Sequence, residues 1–264
     1  MREITTTLAE AAAHWGGRAE VSMMILDRRA RWESLCAGSG GGDWAALTAD
    51  GDPAAGGAIL RARVDDAGAI YVARVTDPFD PDQWAAWAQV AAAGTALAGG
   101  DVALARAGAG RIRLFYAAPG AGAVASVQCL TSSDGGLNWS STPSTVIAGL
   151  TDAPHLAAAE DHCFVFSAGR VRAYVKPWGL GSWAQDGFWT ALQLDDRQGV
   201  ACAYDAGAGV YRLVVCGDGC AALGTFDPAT ATWWGPLRIA PGGEQAAPSA
   251  ANPRGPGAAV GPEG

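Results

Sequence analysis

Short apolar stretches, many of them alternating with polar residues, recur along this chain between turns rich in glycine, aspartate and proline. Near the centre of the chain, Ile112, Leu114 and Tyr116 alternate with Arg111 and Arg113. Alternation with period two predicts β-strands that have one drier face, and the turns predict hairpins between them. We therefore expect an all-β chain of short antiparallel strands.

From residue 57 onward the strands group into four similar units, each closing near a tryptophan. The closing residues Trp87, Trp139, Trp189 and Trp234 are about 45 to 52 residues apart, close to the length of a four-stranded propeller blade. The predicted strands are 59–64, 70–75 and 84–87 in the first unit, 102–106, 111–116, 126–130 and one starting near 139 in the second, 155–159, 163–166, 171–175 and 188–189 in the third, and 200–204, 210–215, 221–226 and 233–234 in the fourth.

This repeat predicts a β-propeller-like domain. One small sheet cannot bury both of its faces, whereas several sheets packed side by side share continuous cores. The number of blades is four or five, because Trp44 is also suitably placed to close an earlier blade. A β-sandwich of similar hairpins would give much the same pattern and is the alternative fold.

The two ends of the chain differ from its middle. Residues 1–20 are predicted to form an N-terminal arm with a short helix, and 21–239 form the propeller-like domain. Residues 240–264 form a tail rich in Pro, Gly and Ala that has almost no large apolar side chain to bury. We expect neither a secretory signal nor a membrane-spanning helix.

The charge of the chain limits the classes of molecule that we expect it to bind. There are 26 Asp and Glu residues against 18 Lys and Arg residues, which gives a net charge of -8. An acidic balance opposes the neutralisation of phosphates that nucleic-acid binding requires, so we expect no nucleic-acid partner.

No set of residues in the sequence has the spacing of a catalytic, cofactor or metal site. The three histidines have no nucleophile motif beside them, and the glycines match neither a phosphate-binding loop nor a dinucleotide fingerprint. We expect a protein that is not an enzyme and has no cofactor or metal. The six cysteines are predicted to be buried thiols, although Cys216 and Cys220 could instead form a disulfide or bind a metal.

Two tryptophans are candidates for ligand binding. Trp178 and Trp183 lie in a Gly-containing loop, where exposed indole rings could form stacking platforms for sugars. The alternative is that these side chains close a blade and belong to the core, as expected for most of the 11 tryptophans.

One segment carries a specific motif. Ser132, Asp134, Gly136 and Trp139 match the Ser-x-Asp-x-Gly-x-x-Trp pattern, which resembles the Asp box of sialidase-like propellers. The resemblance implies that the Asp side chain accepts hydrogen bonds from amides of the turn, that Gly permits the backbone twist and that Trp packs beneath. Such motifs occur in hydrolases and in binding proteins alike, so they indicate a fold and not a reaction.

The N-terminal third resembles tail-associated propeller proteins of bacteriophages and prophage-derived particles. The resemblance rests on the opening segment 4–12, on Asp27-Arg28 and Arg31-Trp32, and on the segments 61–64 and 70–78. It implies a non-enzymatic structural or receptor-facing component of a phage tail or phage-like particle, located in a baseplate, fibre or tail tip.

The implied partners are other particle proteins, further copies of the chain within the assembly and a surface glycan. The alternative function is a separate carbohydrate-binding or glycoside-hydrolysing propeller of the Asp-box type.

Overall fold

The computed structural model describes residues 46–50, 57–77, 80–179, 181–189, 197–217 and 220–239. In these residues the chain forms four antiparallel sheets of four strands, and each sheet follows the order of the chain. Sheet A contains β1 (Ala46–Asp50), β2 (Ala58–Val64), β3 (Ile70–Val75) and β4 (Ala88–Ala91). Sheet B contains β5 (Val102–Arg106), β6 (Ile112–Gly120), β7 (Ala123–Ser132) and β8 (Ser144–Leu150). Sheet C contains β9 (His155–Ala159), β10 (His162–Ser167), β11 (Arg170–Val175) and β12 (Ala184–Trp189). Sheet D contains β13 (Arg197–Asp205), β14 (Val210–Gly217), β15 (Cys220–Asp227) and β16 (Thr232–Ile239).

The sheets pack face to face in chain order, and the first strands β1, β5, β9 and β13 lie beside one another. Three apolar clusters fill the interfaces A/B, B/C and C/D. In the described part of the chain the row does not close, because β13 does not join β1 as the other first strands join their neighbours. The predicted all-β, propeller-like fold is confirmed, with four blade-like sheets in place of the two facing sheets of a sandwich.

Strand β6 is buried on both faces, although its sequence alternates between apolar and polar residues. Ile112, Leu114 and Tyr116 pack toward sheet A, while Phe115 on the opposite face packs toward sheet C. Arg113 shares the face of Phe115 and is only 2% exposed. The expectation of one drier face is therefore wrong for this strand, because a sheet between two neighbours buries both of its faces.

Two closing strands lie elsewhere than predicted. Residues 84–87 do not form a strand, since the helix α1 (Pro81–Ala85) precedes β4. Asp80 caps this helix by accepting a hydrogen bond from the amide of Asp82, and proline suits the first turn because it lacks the amide hydrogen. In sheet B, Trp139 lies in the connection before β8, which begins only at Ser144.

Several expectations concern residues outside the described ranges. These are the N-terminal arm 1–20, Trp44 and the tail 240–264. Within the described residues, Cys129 and Cys163 are buried free thiols and Cys202 is a partly buried free thiol. The side chains of Cys216 and Cys220 are not among those described.

Candidate functional site

Sheets B, C and D each pack a tryptophan against the preceding sheet. Each carries a tryptophan between its third and fourth strands, or at the start of the fourth, and this residue packs back toward the second strand of the preceding sheet. Trp183 meets Phe115 of β6 with ring centroids 5.4 Å apart, and Trp233 meets Phe164 of β10 at 6.0 Å. Trp139 packs against the A/B cluster that contains Leu60 of β2.

The turn with the Asp-box pattern is held together by the Asp134 carboxylate. Its Oδ1 accepts hydrogen bonds from the amides of Leu137 at 3.1 Å and Asn138 at 2.9 Å, and from the Ser132 hydroxyl at 2.8 Å. These hydrogen bonds, those from Asn138 foremost, lower the pKa of Asp134 to about 2. The Ser132 hydroxyl in turn accepts from the amide of Gly136 at 2.9 Å.

The same turn fastens sheet B to sheet A. Gly136 has a φ of +85°, and a Cβ atom there would lie 2.1 Å from Cδ2 of Leu60, so the close approach of the sheets requires glycine. The Trp139 indole donates to the Gly136 carbonyl at 3.1 Å, and Arg74 of β3 donates to the Gly135 carbonyl at 3.1 Å. These contacts give the four residues of the pattern a structural role, whereas membership of an Asp-box family stays a prediction.

The two candidate platform residues, Trp178 and Trp183, line one cleft between sheets B and C. Its volume is about 310 Å³, at the small end of the range of small-molecule pockets. The structure thus brings together the two tryptophans that the sequence singled out. The cleft is lined by Arg113, Thr131, Ser144, Lys176, Trp178, Gly179, Gly181 and Trp183.

The two indoles have different surroundings. Trp183 is fixed in the wall of the cleft, because its ring packs edge-on against Phe115 and its Nε1 donates to the Ser144 hydroxyl at 3.1 Å. Trp178 is half-buried like Trp183, and the guanidinium carbons of Arg111 and Arg113 lie over its ring, 5.6 Å and 5.5 Å from the centroid. Among the described residues Trp178 makes no aromatic ring contact and no side-chain hydrogen bond, so it is the indole better placed to turn a face toward a ligand.

Arg113 holds the two walls of the cleft together. From β6 it donates to the carbonyl of Asp161 at 3.0 Å and to the carbonyl of Lys176, both on sheet C. Its Nη1 also lies 3.2 Å from Oδ1 of Asp161. Burial lowers the pKa of Arg113, and the charge of Asp161 partly offsets that effect. The guanidinium lies 5.1 Å from the ring of Trp183 as well, so one side chain organises much of the cleft.

Sequence reasoning placed Arg113 in a strand and left Lys176 out of the candidate site. These two residues belong to different sheets, and only the packing of B against C brings them to one cleft. The one signal in the sequence was that strand arginines often stack on tryptophan, but no spacing identified the partners.

A second polar cluster lies at the C/D interface. The ring nitrogens of His162 contact the Tyr211 hydroxyl at 2.8 Å and Oδ2 of Asp186 at 3.0 Å. Burial lowers the pKa of His162 despite the opposing effect of Asp186, and burial raises that of Tyr211. With His162 only 6% exposed and both of its nitrogens engaged, this cluster serves the interface.

Two other kinds of site are absent from the described ranges. No group of three or more His, Cys, Asp or Glu side chains there is arranged to hold a metal ion. No helix among those residues has the length and apolar character needed to cross a membrane.

Comparisons with known proteins agree on the fold. The fucose-specific lectin from Aleuria aurantia has a TM-score of 0.51 at 14% identity, over 75% of this chain and 62% of the lectin. The SapL1 lectin, solved with alpha methyl fucoside, has a TM-score of 0.52 at 13% identity, over 75% of this chain and 64% of that lectin. The chain therefore spans less than two thirds of the length of these lectins.

The NanB sialidase from Streptococcus pneumoniae aligns with a TM-score of 0.47 at 12% identity, over 64% of this chain and 26% of the enzyme. No protein-family model matches the sequence. No curated protein matches it either.

Proposed function

We propose that this protein binds carbohydrate without turnover, in the cleft between sheets B and C. The observation that carries the proposal is the convergence of Trp178 and Trp183 with hydroxyl and ammonium groups in one cleft of about 310 Å³. Sugar rings present C–H faces that pack on indoles and hydroxyls that need hydrogen-bond partners. Trp178 offers the first kind of contact, and Thr131, Ser144 and Lys176 offer the second.

The lining of the cleft favours binding over hydrolysis. Glycosidases of the common kind place two carboxyl groups on either side of the scissile bond. Among the described residues that line this cleft there is no Asp or Glu, and the nearby Asp161 is engaged with Arg113. The likeness to two sugar-binding lectins supports a fold that is suited to such a role.

A glycan array probed with the labelled full chain tests this function. We expect Trp178→Ala to lower retention on the best-bound glycans at least about tenfold, which corresponds to roughly 1.4 kcal/mol of binding free energy. The matched control is Trp87→Ala. Trp87 is also half-buried and also lies under two arginine side chains, those of Arg61 and Arg63, but it belongs to sheet A and not to the cleft. Equal loss in both variants, or no retained glycan at all, would contradict the proposal.

The predicted place in a phage tail or phage-like particle is a separate proposal, which rests on the resemblance of the N-terminal third. A glycan-binding domain is chemically suited to a receptor-facing position there. Density-gradient sedimentation of a native producer lysate tests it, with the chain followed by mass spectrometry. Co-migration with tail proteins is the expected outcome, and migration as a free 26.8 kDa chain would contradict it.

A further inference from the structure

Three basic side chains surround Trp178 in a protein of net charge -8. The guanidinium groups of Arg111 and Arg113 lie over the ring, and Lys176 lines the same cleft. Arg111 is exposed and Lys176 is half-buried, so both remain accessible to a ligand. The cleft is therefore a local cationic region on an acidic chain.

Only one of these three charges is balanced nearby. The carboxylate of Asp161 pairs with Arg113. Within the described residues, no carboxylate oxygen lies within 4.0 Å of a side-chain nitrogen of Arg111 or Lys176. A cleft lined by charges of one sign concentrates the electric field and attracts the opposite charge.

The main chain of Lys176 is anchored at the cleft. The carbonyl of Lys176 accepts a hydrogen bond from Arg113, so the residue that carries the ammonium group is tied to the buried guanidinium. A ring on Trp178 would leave its substituents near Lys176, two residues away in the same connection. Charge-assisted hydrogen bonds from ammonium to carboxylate or sulfate are stronger than those between neutral groups.

We infer that the preferred ligand is an anionic glycan, whose sugar ring packs on Trp178 while its carboxylate or sulfate group contacts Lys176 and Arg111. This inference rests on the proposed carbohydrate-binding function and narrows its ligand class. Carboxylate and sulfate share the relevant chemistry, and the test separates them.

The experiment titrates the full chain with lactose, sialyllactose and sulfolactose and follows tryptophan fluorescence or heat. We expect the two charged sugars to bind at least about fivefold more tightly than lactose, which corresponds to roughly 1 kcal/mol. The advantage should shrink between roughly 0.05 and 0.5 M salt, because exposed charges are screened over that range. A preference shared by both sugars indicates recognition of charge, and a preference for one of them assigns the group.

Three variants locate the charge effect. Lys176→Gln should remove most of the preference for the charged sugars over lactose, with Arg111→Gln acting in the same direction more weakly. Arg170→Gln on β11 is the matched control, since it removes an exposed cation of the same sheet that does not line the cleft.

Each result decides between the two proposals. Equal affinity for lactose and its charged derivatives, with loss of all three in Trp178→Ala, would overturn the anionic class and leave carbohydrate binding in place. A preference for charged sugars that survives Lys176→Gln and Arg111→Gln would also overturn the inference. The absence of binding to these sugars and to every glycan on the array would overturn both.

Discussion

The B/C and C/D interfaces have the same plan and differ in what fills them. In each, a phenylalanine on the second strand receives a tryptophan from the following sheet, Phe115 with Trp183 and Phe164 with Trp233. At C/D the aromatic packing is dense, since Phe226 and Trp233 lie 4.6 Å apart between ring centroids. At B/C a cleft of about 310 Å³ remains.

The difference begins two residues before each phenylalanine. At C/D this position is His162, which is small enough for the rings of Tyr211 and Phe226 to pack on it, with centroids at 4.6 and 5.7 Å. At B/C it is Arg113, whose charged end reaches two carbonyls of the next sheet. The comparison teaches that, at the same position of one repeat plan, a small ring lets aromatic side chains pack across the boundary, whereas a long charged side chain lines a cleft.

The largest expected effect is on the aromatic packing at the C/D boundary. Phe164→Ala should lower the free energy of unfolding by about 3–5 kcal/mol, because it removes a fully buried ring and leaves a cavity. Phe188→Ala on the neighbouring β12 is the control, since Phe188 is 55% exposed and should change stability little. Urea denaturation of the full chain measures both, and equal losses would refute the dense packing described at C/D.

The A/B boundary gives the next prediction. Gly136→Ala should cost about 2–3 kcal/mol, because alanine is strained at a φ of +85° and its Cβ collides with Leu60. Gly149→Ala separates the two causes, since Gly149 has a φ of +76° but no atom within 4 Å of the position that a methyl group would take; it should cost only about 1 kcal/mol. Thermal unfolding of both variants is the measurement, and the strain-only explanation would hold if their losses matched.

At the B/C boundary, substitutions can separate the roles of the two tryptophans. Trp183→Ala should lower both stability and glycan affinity, because Trp183 packs on Phe115 and bonds Ser144. Trp178→Ala should lower affinity at least about tenfold while stability changes by less than about 1 kcal/mol. Parallel denaturation and glycan titration test this, and a stability loss in Trp178→Ala as large as that in Trp183→Ala would contradict the distinction.

The smallest effect concerns the pH dependence of stability at the C/D boundary. Folding lowers the pKa of His162, so below its unfolded value of about 6.5 the unfolded chain binds more protons. Stability should therefore be complete above about pH 7 and decrease as the pH falls toward 5. His162→Gln should flatten the dependence of the melting temperature on pH in this range. An unchanged slope in His162→Gln would assign the acid sensitivity to other groups.

The sequence predicted the strands of sheets B, C and D well, apart from β8, because their local signals agree. A short apolar run marks strands such as β10, and the turn residues before and after them mark the ends. It was less successful in sheet A, where β1 was not assigned and the aspartate and prolines of 76–82 start a short helix instead of leading into a strand. Local capping by Asp80 decided that outcome.

Part of the candidate site could also be predicted. Trp178 and Trp183 stand out because two indole rings in one glycine-containing loop could form stacking platforms for sugars. Arg113 and Lys176 could not be assigned to the same place, since they are 63 residues apart and meet only across an interface between sheets. Alternation in β6 even indicated that Arg113 should lie on the more exposed face of its strand. A single strand carries no information about a second neighbouring sheet.

The backward packing of each tryptophan-bearing connection has a consequence for protein engineering. Each sheet is continuous in sequence, so a single sheet looks like a transplantable module. The cleft, however, takes Arg113, Thr131 and Ser144 from one sheet and Lys176, Trp178 and Trp183 from the next. A chimera that moves sheet C alone would carry half of the recognition surface, and the smallest cassette that preserves it extends from β5 to β12.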